Sequence, residues 1–438
     1  MHFLHLATTL KGGAGIAARR LHAALQASGH GSTIYTRDRG PAEPDVVNWG
    51  TRQSDLASAL NKARYRLTTR EKYYFRDEDW TIPEVDKLVE QSATLKPDIV
   101  IAHYLTGFLD FGTIARIQQA TDAPVIFYLM DMAPFTGGCH FAWDCDRYAQ
   151  GCGDCPALSF GHGPDDQSAK AMRNKRDALA RIPHAVVGGS TSLCEQAARS
   201  QTFADSDIST ILLAIDDAVF HPRDPAPLRD EFGIDAARPV LFFGSREKEQ
   251  SRKGVDVLKR ALELFGGQAP QTQLPALLVA GDGPDFKELE QAGFAVHSLG
   301  PVDLPTLAKC YAAADAFVSP SIEDSGPMMV NEAVMSGCPV VAFDIGVAKN
   351  LIKDGETGFI IERIGDPQLL ANQIAELLSW GERQRNNARK SLRHLAERSM
   401  SPELQVAAFE AVATRLFERN GKDEGEVRPK QGDISSHS

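Results

Sequence analysis

The 438-residue chain lacks any apolar run long enough to cross a bilayer as a helix. Its first residues, MHFLHLATTLKGGAG, also lack the basic start, long apolar core and small-residue cleavage site of a secretory leader. A cytoplasmic protein is expected, touching the inner face of a membrane at most peripherally. Positive charge is not in excess: 47 Lys and Arg against 58 Asp and Glu leave a net charge of −11. A globally basic surface for nucleic acid is thereby excluded. A local pocket for one diphosphate is not, because it needs only a few cations. Cysteine is scarce and unevenly spread. Of seven, Cys139, Cys145, Cys152 and Cys155 cluster, while Cys194, Cys310 and Cys338 stand alone. A reducing compartment argues against a disulfide framework. No repeat at solenoid spacing is present.

What is there is an ordinary globular composition, 43% hydrophobic and 24% charged, at a length that suits two or three domains. Short apolar runs alternate with helical patterns. HFLHLA (2–7), STIYT (32–36), DIVIAHY (98–104), PVIFYLMD (124–131) and HAVVGG (184–189) read as strands of a parallel sheet. The stretch 50–95, polar, aromatic and irregular, reads as an insertion of helices and loop. Residues 216–238, rich in Pro and Asp, read as the linker. A second series follows with PVLFFGS (239–245), PALLVAGDG (275–283), AVHSLG (295–300), AFVSPS (316–321) and PVVAFD (339–344). The expected class is α/β, with Rossmann-like doubly wound domains at 1–216 and 217–390 facing a cleft. A helical segment over 391–420 and a disordered polar tail over 421–438 complete the reading.

The most informative stretch is Val318 to Val341, VSPSIEDSGPMMVNEAVMSGCPVV. A strand ends, a loop follows, and a helix begins near Met328, where free N–H groups and the helix dipole suit a diphosphate. Asp324 and Glu332 place carboxylates on the loop and within the helix; the competing reading is acidic residues serving the helix dipole. A second cluster, Gly244-Ser245-Arg246 followed by Ser251-Arg252-Lys253-Gly254, puts cations after a strand end.

The Val318–Val341 stretch resembles the nucleotide-sugar signature of the retaining glycosyltransferases of family 4, which have the GT-B fold. Glu332-Ala333, Gly337 and Pro339-Val340-Val341 match, whereas the first acidic position holds Asp324 where the family has Glu. Pro327 and Asn331 give the stretch its likeness to the colanic-acid and exopolysaccharide branch. The resemblance implies a UDP- or GDP-sugar donor held by Arg246, Arg252 and Lys253 at the diphosphate and by Glu332 at the ribose. It implies Asp324 at the transferred sugar, and backbone of Gly326, Met328 and Met329 along the ligand. No catalytic cofactor is implied. The glycine-rich Gly12-Gly13-Ala14-Gly15 turn resembles the loop through which Gly13 and Gly15 let donor and acceptor approach. Leu129 to His140, LMDMAPFTGGCH, resembles a strand end that in the family reads His-Asp. Here Met130 takes the place of the His and Asp131 remains, with His103 and His140 as candidate substitutes.

The cysteines have the spacing of a hairpin that presents four thiolates to a structural zinc ion, and a similar pattern occurs in the colanic-acid-type relatives. Reduced buried thiols, or a disulfide under oxidation, are the alternatives. The function implied is hexosyl transfer with retention to a glycan or polyprenol-linked acceptor in surface polysaccharide biosynthesis. Its rivals are an impaired nucleotide-sugar-binding scaffold, a sugar-nucleotide epimerase or phosphorylase of the same fold, and a nicotinamide-dependent oxidoreductase. The last rests on Gly13-Ala14-Gly15-Ile16-Ala17-Ala18 and Asp38.

Overall fold

A computed structural model describes residues 1–41, 43–76, 80–245, 251–268, 274–282 and 285–423. Its frame is two parallel sheets. The first contains β1 (His2–Ala7), β2 (Gly31–Thr36), β3 (Val46–Asn48), β4 (Ile99–Ala102), β5 (Val125–Leu129), β6 (His184–Gly188) and β7 (Asp207–Thr210). Their spatial order is β3-β2-β1-β4-β5-β6-β7. The second contains β8 (Val240–Gly244), β9 (Ala276–Ala280), β10 (Ala295–Ser298), β11 (Ala316–Ser319), β12 (Val340–Phe343) and β13 (Gly358–Ile361), in the order β10-β9-β8-β11-β12-β13. Both sheets therefore reverse direction once, between β1 and β4 and between β8 and β11, and a crevice opens at each reversal.

Each sheet is covered on both faces, and so its central strands read as unbroken apolar runs. Alternate residues of one strand enter different cores: Leu4 and Leu6 pack with Val100 and Phe127, Phe3 with Ile99 and Ile126. The second sheet repeats this, with Phe242 on one side and Leu241 and Phe243 on the other.

Three stretches bear on the sequence reading. The stretch 216–238 is built into the second unit, with Phe220 and Ile234 in its core and a helix at Pro225–Glu231. Arg229 from that helix reaches Asp315 at 2.8 Å, and the same carboxylate oxygen accepts the Val240 N–H at 2.8 Å. Residues 50–95 hold helices as expected, Arg52–Thr68 and Val85–Leu95, and the second packs on the helix Phe111–Thr121. The carboxyl-terminal segment is two helices, Glu382–Glu397 and Pro402–Asp423. The latter returns to the first sheet, where Val406, Phe409 and Val412 join Ile126 and Tyr128. Of the expected tail, 421–423 belong to this helix, and 424–438 lie outside the described residues.

Candidate functional site

At the crevice of the second sheet, the loops after β8 and β11 meet. Lys253 Nζ stands 2.5 Å from Asp324 Oδ2, and Arg252 donates to the same oxygen at 3.2 Å. The other oxygen accepts the Gly326 N–H at 3.2 Å. Burial alone would raise the Asp324 carboxyl, but the charges of Lys253 and Arg252, helped by these hydrogen bonds, hold it below the ordinary carboxylate range. Backbone geometry fixes the cluster. Ile322 N–H donates to the Arg252 carbonyl at 2.7 Å, and Gly254 sits at φ +65°, where a Cβ would lie 1.7 Å from the Pro320 carbonyl oxygen. Only glycine permits that approach.

Beside this cluster begins the helix Met328–Met335, which no side chain caps. Its first N–H groups are left without a side-chain cap, and a Cβ at Gly326 would meet nothing within 4 Å. Met329 packs on the α-carbon of Gly244. Sequence reasoning gave Glu323, just before Asp324, no role. Burial first, and then the Asp324 charge, push its carboxyl up to about 7, against an accepted backbone N–H from Trp143. Arg246 lies outside the described residues.

Glu332 is 3% exposed and already engaged. Its Oε1 receives Arg20 of the opposite unit at 3.0 Å, and Tyr311 OH donates to Oε2 at 3.3 Å. Arg20 also contacts Met328 Sδ at 3.4 Å and lies over the Phe220 ring. The two units meet again where Ser190 Oγ donates to the Ser325 carbonyl and where Asn350 pairs with Thr191.

On the first sheet the polar groups are sequestered. Asp131 accepts the Ala133 N–H at 2.9 Å and pairs with His140 Nδ1 at 2.7 Å, and His140 is 1% exposed between Tyr74 and Tyr104. Buried Lys175 secures this loop by donating to the carbonyls of Ala133 at 2.6 Å and Thr136 at 2.9 Å. His103 does not stand in for the family histidine at the cleft. It is buried against His5 at 2.9 Å, and desolvation lowers it to about 3. The glycine-rich turn is already helical from Gly12. Gly12 and Gly13 face open space, but a Cβ at Gly15 would lie 2.3 Å from the Leu10 carbonyl carbon, so Gly15 serves packing rather than ligand approach. Asp38 is occupied in bracing this turn, accepting from Thr9 Oγ1 at 3.0 Å and Leu10 N–H at 2.7 Å. It is not free for a nicotinamide ribose.

All seven cysteines are free thiols. Cys139, Cys145, Cys152 and Cys155 border one small cavity. Among the described residues no three His, Cys, Asp or Glu side chains stand in metal-ligating geometry, so the expected zinc site is not preformed. Nor, among them, is any helix long and apolar enough to cross a membrane.

Two family models match. Residues 12–197 fit the "Glycosyl transferase 4-like domain" and residues 237–379 the "Glycosyl transferases group 1" model. N-acetyl-alpha-D-glucosaminyl L-malate synthase of Bacillus anthracis is 25% identical over 254 residues, which are 56% of this chain and 62% of that protein. D-inositol 3-phosphate glycosyltransferase of Nocardia farcinica is 29% identical over 226 residues, 48% of this chain and 49% of that protein. The chain thus spans about half to three fifths of the length of these curated relatives. Anabaena HepE, solved with UDP and glucose, superposes with a TM-score of 0.67 at 18% identity, covering 95% of this chain and all of that one. Sucrose-phosphate synthase from Thermosynechococcus elongatus gives 0.68 at 18% identity, with 96% of this chain and all of that one covered. These likenesses show the GT-B fold.

Proposed function

The chain belongs to the group 1 glycosyl transferases, with a glycosyl transferase 4-like domain ahead of the group 1 domain, and on that premise we propose that it moves a hexosyl unit from a UDP- or GDP-sugar to an acceptor hydroxyl with retention. The observation that carries the reading is the convergence of Lys253 and Arg252 on one carboxylate beside an uncapped helix start. A diphosphate exchanges for Asp324 as partner of the two cations, and Asp324 is released towards the hydroxyls of the transferred sugar. Glu332 takes the ribose once Arg20 yields. Met328 and Met329 contribute backbone N–H groups, and Gly13 leaves room for the acceptor. Asp131, with His140, shapes the opposite wall.

The acceptor oxygen bonds to the anomeric carbon on the face from which the diphosphate departs. The bond to the diphosphate oxygen breaks, and the acceptor proton passes to that oxygen. Lys253 and Arg252 stabilise the charge that develops there, and no protein base is required. Met130 then costs positioning rather than proton transfer. It is also the observation that favours the second reading, a nucleotide-sugar-binding scaffold without turnover.

A surface-polysaccharide glycan, free or polyprenol-linked, is the acceptor class carried by the exopolysaccharide-type motifs. A cytoplasmic enzyme meeting such an acceptor works at a membrane surface. The helix Arg52–Thr68 supports this: Leu56, Leu60 and Leu67 are exposed along one side, and Lys62, Arg64 and Arg66 share the helix. Flotation with anionic against neutral vesicles tests the contact.

The deciding experiment is nucleotide release from a panel of UDP- and GDP-sugars, with and without a lipid extract, beside calorimetric titration of UDP and GDP. Release from one donor that depends on the extract supports the transferase. Nucleotide binding without release under any condition supports the scaffold. Unchanged donor affinity in Glu332→Ala overturns the ribose assignment.

A further inference from the structure

The first wall turns its polar groups inward, and what it shows instead is aromatic. Tyr74, His140 and Tyr104 form a row, with neighbouring ring centroids 4.9 Å and 5.5 Å apart. The middle ring is buried and fixed by Asp131, whereas Tyr74 is 37% exposed and Tyr104 half-buried. Tyr104 follows β4, and its carbonyl accepts the Thr8 N–H at 2.8 Å and the Thr8 hydroxyl at 2.9 Å. That ties the row to the reversal between β1 and β4, beside the glycine turn, where a Cβ at Gly12 or Gly13 meets nothing within 4 Å. The helix Gly12–Ala27 starts at this turn without a side-chain cap, which leaves N–H groups for a ligand oxygen.

Tyr74 is held in place against its own preference. Its φ is +45°, a left-handed conformation that a bulky residue rarely takes and that persists only where the surroundings impose it. The constraint is visible on either side. Tyr74 N–H donates to the Glu71 carbonyl at 2.8 Å, Arg76 N–H donates to the Gly138 carbonyl at 2.7 Å, and Phe75 between them is fully buried. The Arg76 guanidinium lies over the Tyr74 ring at 4.9 Å. A strained backbone that turns an aromatic ring partly into solvent does nothing for stability, and such strain gathers at ligand sites. A second aromatic residue repeats the pattern. Trp143 has φ +55°, its Nε1 donates to the Lys72 carbonyl at 2.7 Å, and its backbone N–H reaches the Glu323 carboxylate of the opposite unit. The segment that carries His140 thus also touches the residue next to Asp324.

We propose that the Tyr74–His140–Tyr104 row seats a sugar ring of the acceptor, a neutral pyranose whose C–H face lies on the tyrosine rings; the proposal rests on the transferase reading. A pyranose presents a face of C–H bonds and a rim of hydroxyls. Aromatic rings take the face, and a few fixed polar groups take the rim. An acidic acceptor fits this wall less well, because two of its cations are committed to carbonyls. Arg76 donates to that of Phe75 at 2.6 Å, and Lys175 to those of Ala133 and Thr136.

The test is saturation-transfer NMR on the full chain with UDP present, irradiating aromatic protons. Maltotriose, galactotriose and mannotriose are the probes, and succinate is the acidic comparator. Saturation should reach the ring protons of at least one trisaccharide and bypass succinate. Tyr74→Ala should weaken that binding roughly threefold to tenfold, the range for one lost ring contact, while Tyr74→Phe keeps it. Tyr74→Gly separates a ligand role from a structural one. It removes the ring and relieves the left-handed backbone together, so the denaturant midpoint should hold or rise while trisaccharide binding falls. Absence of transfer to every trisaccharide overturns the proposal. So does trisaccharide binding that Tyr74→Ala and Tyr74→Gly leave unchanged, or stronger binding of succinate. Calorimetric titration of UDP into the same sample keeps the two readings apart. UDP bound with no trisaccharide strikes the acceptor site alone, and UDP unbound strikes the transferase reading beneath it.

Discussion

The crevices of the two sheets have the same topology and opposite chemistry. After β8 and β11 the loops carry two cations, two acidic residues and an uncapped helix start. After β1, β4 and β5 the polar groups are turned inward, with Asp131 on His140, His103 on His5 and Asp38 on the glycine turn. Strand order therefore explains where a ligand can lie, but not which wall binds it. The loops decide that, and here the charged wall is the second one.

The sharpest way to break this contrast is to discharge the second wall. Lys253→Ala removes a hydrogen-bonded cation, an interaction worth about 1.5–3 kcal/mol, so UDP or GDP affinity should fall roughly 10- to 100-fold by calorimetry. An unchanged Kd would move the diphosphate elsewhere. The complementary change is Lys175→Met on the first wall, which leaves two buried carbonyls without their donor. We expect a loss of about 2–4 kcal/mol in denaturant unfolding, with nucleotide affinity within about twofold in the folded protein. A large loss of affinity would show that the first wall binds the nucleotide as well.

A smaller effect is expected where the walls touch. Arg20→Ala frees Glu332 from an ion pair that competes with ribose. Taking that competition as about 1 kcal/mol, nucleotide affinity should rise roughly fivefold. Weaker binding would make Arg20 a ligand contact instead. The smallest effect concerns Glu323, whose carboxyl is raised from 4.5 to about 7. Its contribution to stability is complete below the unfolded value and is lost as pH rises through 7. The carboxylate formed there also repels a diphosphate. Nucleotide affinity should weaken a few-fold from pH 6 to pH 8 in the unaltered chain, and this slope should flatten in Glu323→Gln.

The strands that lie inside the sheets were legible because burial on both faces writes a continuous apolar run, as in VLFFG and ALLVA. The edge strands β3 and β7 were not, being short and half exposed. The Arg252-Lys253-Gly254 cluster and Asp324 could be read because each lies within a local motif. Arg20 with Glu332 could not, since 312 residues separate the partners and neither residue announces the other. Lys175 reads as an ordinary helical lysine, and only the folded loop shows what it holds. Residues 216–238 read as a linker because Pro and Asp signal turns. Those turns here are packed, and Arg229 owes its burial to Asp315 far along the chain.

The return of the helix Pro402–Asp423 to the first sheet has a consequence for synthesis. A ribosome delivers residues 2–210, and with them every strand of that sheet, long before Val406, Phe409 and Val412 emerge to cover Ile126 and Tyr128. The first-made half must wait with part of one apolar face uncovered, the rest being held by the helix Gly12–Ala27, while the second-made half, whose strands end at Ile361, closes. Nascent chains stalled ahead of Pro402 should therefore recruit chaperones through the early half rather than the late one.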